Sequence, residues 1–204
     1  LSNQGLQQAN QIMFLEKVLY ELEGQNPVRD PDAYFVSIFG QPSADSVWGW
    51  RFEGHHLSLN LTIQHGAVTS TTPAFFGANP AVVPEGGHSG LQILRAEEEL
   101  ARELLGSLDS GQKRRAVIDE HAPSDIITAA SRRVAMDAPT GLAFQEMSSE
   151  QRQLLMQLIK VYAERFRPVA DLMGPLVPRH RVRPLERNDI AEVQGLLGFL
   201  DEQV

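Results

Sequence analysis

The sequence predicts an α+β fold, an antiparallel sheet covered by several helices. Three observations point there. Residues 4–23 carry an apolar stripe at helical spacing; between residues 33 and 72 the apolar residues sit in short aromatic and β-branched runs separated by turn residues; from residue 91 onward the period returns to about 3.6.

In the first segment Ala9, Ile12, Met13, Val18, Leu19 and Leu22 stand near helical spacing, and Gly24 and Pro27 follow as stop signals. Residues 4–23 are therefore predicted as an amphipathic helix. After the turn-forming stretch 26–32, residues 33–39 (AYFVSIF) read as a buried strand that ends at Gly40-Gln41-Pro42. Residues 48–64, with 49–63 at their centre, read as one longer strand, and Gln64-His65-Gly66 as a tight connection to a third strand at 67–72. Phe75 to Pro80 reads as a loop, either an ordinary turn or one whose glycine and asparagine present amides to an anion. The run Pro84 to Gly90 is rich enough in glycine to be mobile, with His88 in a solvated loop or a lid.

The helical half begins with residues 96–108, where Leu100, Leu104, Leu105 and Leu108 share a stripe. Asp109 with Gln112, and Ser148 with Gln151, have the spacing of capping boxes, in which a short polar side chain accepts from backbone donors and the later amide reaches back. The second opens a core-facing helix over 149–166 carrying Leu155, Leu158, Ile159, Tyr162 and Phe166. Residues 1–168 are expected to form a single domain. Residues 169–186 have linker composition, with prolines at 175, 178 and 184 and arginines at 179, 181 and 183, and 187–204 read as a terminal amphipathic helix opened by Asp189 and Glu192.

Bulk composition narrows the partners. The net charge of −8, from 26 acidic and 18 basic residues, gives no field that attracts phosphate backbones or anionic lipid, so neither nucleic acid nor membrane is an expected partner. No apolar run approaches the roughly 20 residues a spanning helix needs. A small-molecule substrate or a protein partner is left. The chain has no cysteine, which excludes disulfides, thiol nucleophiles and thiolate-bound zinc, and leaves the compartment open between cytoplasm and secretion. The opening at Leu1 rather than Met allows for a leader or N-terminal segment that has been removed or left out.

The stretch RFEGHHLSLN, residues 51–60, holds the candidate site. A regular strand sends His55 and His56 to opposite faces. Each face also changes character near Gly54: Arg51 and Glu53 give way to Leu57 and Leu59, while Trp50 and Phe52 give way to Ser58 and Asn60. A bulge at Gly54-His55 is expected to re-aim the chain and bring both imidazoles to one site. His55 and His56 are then candidate metal ligands or catalytic groups, with Arg51 and Glu53 in hydrogen-bonding reach as orienting or substrate-binding residues. A divalent metal is the candidate cofactor. The competing reading is structural: the histidines hydrogen-bond neighbouring strands, Arg51 pairs with Glu53, and the protein is a non-catalytic binding module. No Gly-x-Ser-x-Gly elbow or phosphate-binding glycine loop offers another chemistry.

In YFVSIFGQP (34–42), WGWRFEGHHLSLN (48–60) and TPAFFGANP (72–80), the chain resembles the bacterial and eukaryotic family catalogued as domain of unknown function 3500, over about residues 1–168. The resemblance makes the histidine pair a family motif and favours a functional role for it, without naming a reaction; the leading expectation is a metal-dependent enzyme, a hydrolase or an oxidoreductase, and the alternative is the non-catalytic binding module. It also implies a later segment of the form His-x-His-Ser-x-Trp-Arg, whose histidines would complete a metal set with an open position. Nothing after Phe166 matches that segment, so the expectation is a truncated or divergent member, or a reading frame that shifts near Pro168.

Overall fold

A computed structural model describes residues 1–121, 124, 131 and 140–166. The linker expected at 169–186 and the helix expected at 187–204 lie outside the described residues. The described chain divides into two compact units, one containing residues 1–94 and 164–166, the other the described residues between 95 and 163.

The first unit opens with helix α1 (Asn3–Leu22). Ser2 caps it, its hydroxyl accepting from the Gly5 amide at 3.0 Å. Five antiparallel strands follow: β1 (Phe35–Phe39), β2 (Val47–Gly54), β3 (Leu57–Gln64), β4 (Ala67–Ser70) and β5 (Ala74–Phe76). They run in the order β1-β2-β3, and β4 and β5 share the far edge of β3, pairing with its second and first halves respectively. Along β3, Leu57, Leu59 and Ile63 are buried, and α1 lies against this strand with Ala9, Ile12, Leu15, Val18 and Leu19 buried in turn. Phe76 from β5 and Phe166 complete the core, their rings edge to face at 6.4 Å.

The antiparallel sheet and helices are those the sequence predicts, with three corrections. The long strand expected over 48–64 is two strands: Gly54 pairs with Leu57, so His55 and His56 are the two residues of a hairpin turn and no bulge forms at Gly54. A two-residue turn reverses the chain, and this reversal, not a passage between core layers, produces the change of face. The strand at 35–39 is not buried; Phe35, Val36, Ile38 and Phe39 are all more than half exposed, because β1 lies at the edge of the sheet and, among the described residues, pairs only with β2. Finally, the first two residues of the expected loop 75–80, Phe75 and Phe76, belong to strand β5, which pairs with β3. The connection at His65-Gly66 is the tight turn expected, with φ of 50° and 74°.

The glycine-rich loop at 84–90 is a closed structure. Val83 and Leu91 bracket it, the Val83 amide donating to the Leu91 carbonyl at 2.9 Å and the Gly90 amide to the Val83 carbonyl at 2.8 Å. His88 meets the ring of Phe14 edge-on at 5.0 Å.

In the second unit, helices α2 (Arg95–Ser107) and α4 (Ser149–Ala163) pack on each other, with the short helix α3 (Ser110–Ala116) between them in sequence. Both capping boxes form. Asp109 accepts from the Gln112 amide at 2.8 Å and Gln112 from the Asp109 amide at 3.1 Å; Ser148 and Gln151 repeat the exchange at 3.2 and 2.9 Å. Gln151 also donates to the Ser107 carbonyl at 2.9 Å, so the cap of α4 ties down the end of α2.

A candidate metal centre at the hairpin turn

Because the turn has only two residues, both imidazoles project from the same end of the hairpin. The rings lie side by side, centroids 3.6 Å apart and planes at 33°. His56 has φ +59°, a left-handed conformation costing a non-glycine residue about 1–2 kcal/mol. Full burial of a side chain such as Ile12, Leu15 or Leu57 contributes about 1.5–3 kcal/mol each, so the core sustains the turn with ease. Backbone contacts hold it as well. The Gly77 amide, just past β5, donates to the His56 carbonyl at 2.7 Å, and a Cβ at position 77 would stand 3.1 Å from the His56 ring.

On the other side Tyr34 clamps the turn. Its hydroxyl donates to the His55 carbonyl at 3.1 Å, and its ring stacks on Phe52 at 5.6 Å. The same ring fills the space a side chain at Gly54 would need: a Cβ there would come within 2.6 Å of Tyr34 Cε1 and 2.8 Å of the Ala33 carbonyl oxygen. That contact requires glycine at position 54. Burial, with the negative charge of Glu16 nearby, pushes the Tyr34 hydroxyl well above the ordinary phenol range, so it stays a donor.

The group the histidines face is Glu16 on α1. His55 Nδ1 lies 2.8 Å from Glu16 Oε2, and His56 Nδ1 lies 3.2 Å from Oε1, so one carboxylate engages both rings through separate oxygens. The Glu16 side chain is 5% exposed, that of His56 18% and that of His55 42%; the cluster opens to solvent on the His55 side. Burial pushes the Glu16 carboxyl up, but the hydrogen bonds from His56 and His55 and the charge of the two rings outweigh it and hold the group below the ordinary carboxylate value. An ionised carboxylate only accepts, so in the metal-free protein each Nδ1 carries the proton.

These three residues offer two imidazole nitrogens and a carboxylate oxygen within 4.8 Å of one another. Ligands held at about 2.1 Å from one ion stand roughly 3.0–3.4 Å apart at octahedral or tetrahedral angles. The contacts of 2.8 and 3.2 Å are close to those separations and the three ligand atoms lie within 4.8 Å of one another; loading an ion would take the Nδ1 protons off both rings and draw the set in around it.

The expected convergence of His55 and His56 is present, produced by a turn instead of a bulge. The hydrogen bond expected from Arg51 or Glu53 is not part of it. Arg51 donates to Asn60 Oδ1 at 2.7 Å and pairs with Glu53 at 3.4 Å. In the β2–β3 register Arg51 stands across from Asn60 and Glu53 from Ser58, on the face away from the buried Leu57 and Leu59. Glu16 is the member that sequence reasoning missed. Its signal was available: Gly5, Ala9, Ile12, Glu16 and Leu19 are spaced by four and three residues along one stripe, all buried, and a carboxylate in that stripe needs a partner.

A family model described as "Protein of unknown function (DUF3500)" matches residues 1–173. No curated protein and no solved structure matches the chain.

Proposed function

The chain belongs to the DUF3500 family, whose description names no reaction, and from the geometry of its own residues we propose that it is a metal-dependent enzyme whose divalent ion is held by Glu16, His55 and His56. The observation that carries the reading is the pair of Nδ1 contacts, 2.8 and 3.2 Å, from two adjacent imidazoles to the two oxygens of one buried carboxylate. Two imidazoles and one carboxylate suit zinc and the other divalent first-row metals, and such a set leaves coordination positions open.

An ion held there supplies Lewis acidity and makes water a nucleophile at neutral pH. Hydrolysis needs no cofactor beyond that ion, whereas oxidation also needs an acceptor for the substrate's electrons, so hydrolysis of a small polar substrate is the simpler assignment. The chain's own residues have distinct parts. Glu16 provides the negative charge and fixes both rings; His56, the less exposed ring, anchors the inner side; His55 borders the open side, where a substrate enters. Tyr34 holds the turn through the His55 carbonyl. Arg51 and Glu53 lie outside the ligand set.

The structural alternative has support in the same distances, since both are hydrogen-bond lengths and the cluster ties α1 to the hairpin without any ion. Calorimetric titration of the purified protein with Zn²⁺ at pH 7.5 separates the two. The enzyme reading expects one ion per chain, at least ~10-fold weaker binding in His55→Ala and His56→Ala, and affinity that weakens in acid because the ion displaces protons from its ligands. Wild-type protein that binds no more tightly than the double variant leaves the structural clasp.

A further inference from the structure

We infer that β1 is a homodimer interface: two copies of the chain pair edge to edge and antiparallel about a two-fold axis through Ser37. The strand is a run of five residues, Phe35-Val36-Ser37-Ile38-Phe39, with no charge. Natural edge strands are usually blunted by lysine, proline or a bulge. Here, four large apolar side chains stand 63, 65, 52 and 51% exposed in chain order. Among the described residues the outer edge of β1 has no strand partner, and β2 to β5 are all committed to the same sheet.

The sequence of the strand selects the occupant. Read from either end it has the same pattern: aromatic, β-branched, serine, β-branched, aromatic. A two-fold axis through Ser37 sets Phe35 opposite Phe39 of the partner subunit, Val36 opposite Ile38 of the partner subunit, and Ser37 opposite its own copy. The cross-strand pairs are then aromatic with aromatic, β-branched with β-branched and serine with serine, with no like charges opposed, and aromatic pairs are among those that stabilise a ladder. The arrangement is isologous, so it closes at two copies and does not propagate into a fibre. An unrelated partner has no need of this symmetry. A stable interface buries about 1,000 Å² or more in total, and a single five-residue strand is a short contact on that scale, so the dimer is expected to be weak, with a dissociation constant roughly micromolar or higher. The pairing is independent of what binds at Glu16.

Because the chain has no cysteine, its register can be tested in a single-cysteine protein. Residues directly opposite in an antiparallel pair have Cα atoms about 4.5–5.5 Å apart, within disulfide range. Ser37→Cys, mildly oxidised at low micromolar concentration, is expected to form a covalent dimer at least ~10-fold faster than Thr69→Cys, an exposed position on β4 at the other side of the sheet. Sedimentation of the whole wild-type chain is expected to show a monomer–dimer equilibrium that Val36→Lys with Ile38→Lys weakens at least ~10-fold. A wild-type monomer at all concentrations with Ser37→Cys no faster than Thr69→Cys overturns the inference and means that other residues of the chain cover the edge. A dimer that survives the lysine pair, with Ser37→Cys again no faster, overturns it in favour of another interface. If the lysine variant fails to fold, the two cross-linking rates decide alone.

Discussion

His55 Nδ1 lies 2.8 Å from Glu16 Oε2, joining positions 39 apart in the chain and closing α1 onto the β2–β3 turn. The contact is buried on the glutamate side and open on the histidine side, the asymmetry a ligand site needs: a rigid charged base and an accessible face.

Glu16→Gln removes the charge and keeps the shape. The folded-state carboxyl value lies below the ordinary 4.5, so its ionised form stabilises the fold above about that pH, and the contribution disappears as pH falls through the folded value. Denaturant unfolding across pH 3–8 should therefore show wild type more stable than Glu16→Gln at neutral pH, with the gap closing in acid. Zinc affinity of the variant should fall at least ~10-fold at pH 7.5.

Tyr34→Phe deletes one hydroxyl and leaves the ring that stacks on Phe52 and covers Gly54. Loss of the bond to the His55 carbonyl is expected to cost about 1 kcal/mol in stability. Zinc affinity should drop by roughly 10-fold with stoichiometry unchanged, because the imidazole stays and only its support is lost. Equal zinc affinity in the two proteins would remove Tyr34 from the site.

The strained turn gives a test of its own. At φ +59° a Cβ is unfavourable, so among variants without the imidazole His56→Gly should be more stable than His56→Ala by about 1 kcal/mol, the reverse of their order in a helix. Thermal or urea unfolding of the two proteins without metal measures it. Alanine equal to or above glycine would show that residue 56 does not hold the left-handed conformation.

Much of this was legible in the sequence, and the exceptions have physical causes. The helices and capping boxes were readable because Asp109 with Gln112 and Ser148 with Gln151 act over one turn, within a local window. The His65-Gly66 turn was readable because its glycine announces positive φ. The His55-His56 turn carries no glycine or asparagine at its left-handed position, so the run from 48 to 64 read as one strand; only the parity change at Gly54 betrayed a break. Exposure of β1 depends on strand order, which Phe35 to Phe39 do not encode: an apolar strand reads the same at an edge as in the middle. Glu16 was hidden for a related reason. A charged residue in a helix is ordinarily solvated, and its burial follows from which helix face meets β3.

Whether Glu16, His55 and His56 are ligands of one ion can be read from X-ray absorption at the zinc edge of zinc-loaded protein. The expected first shell is nitrogen and oxygen at about 2.0–2.1 Å with outer scattering from two imidazoles, reduced to one in His56→Ala. A shell of oxygens without imidazole scattering, or zinc that washes off the wild-type protein, would contradict it.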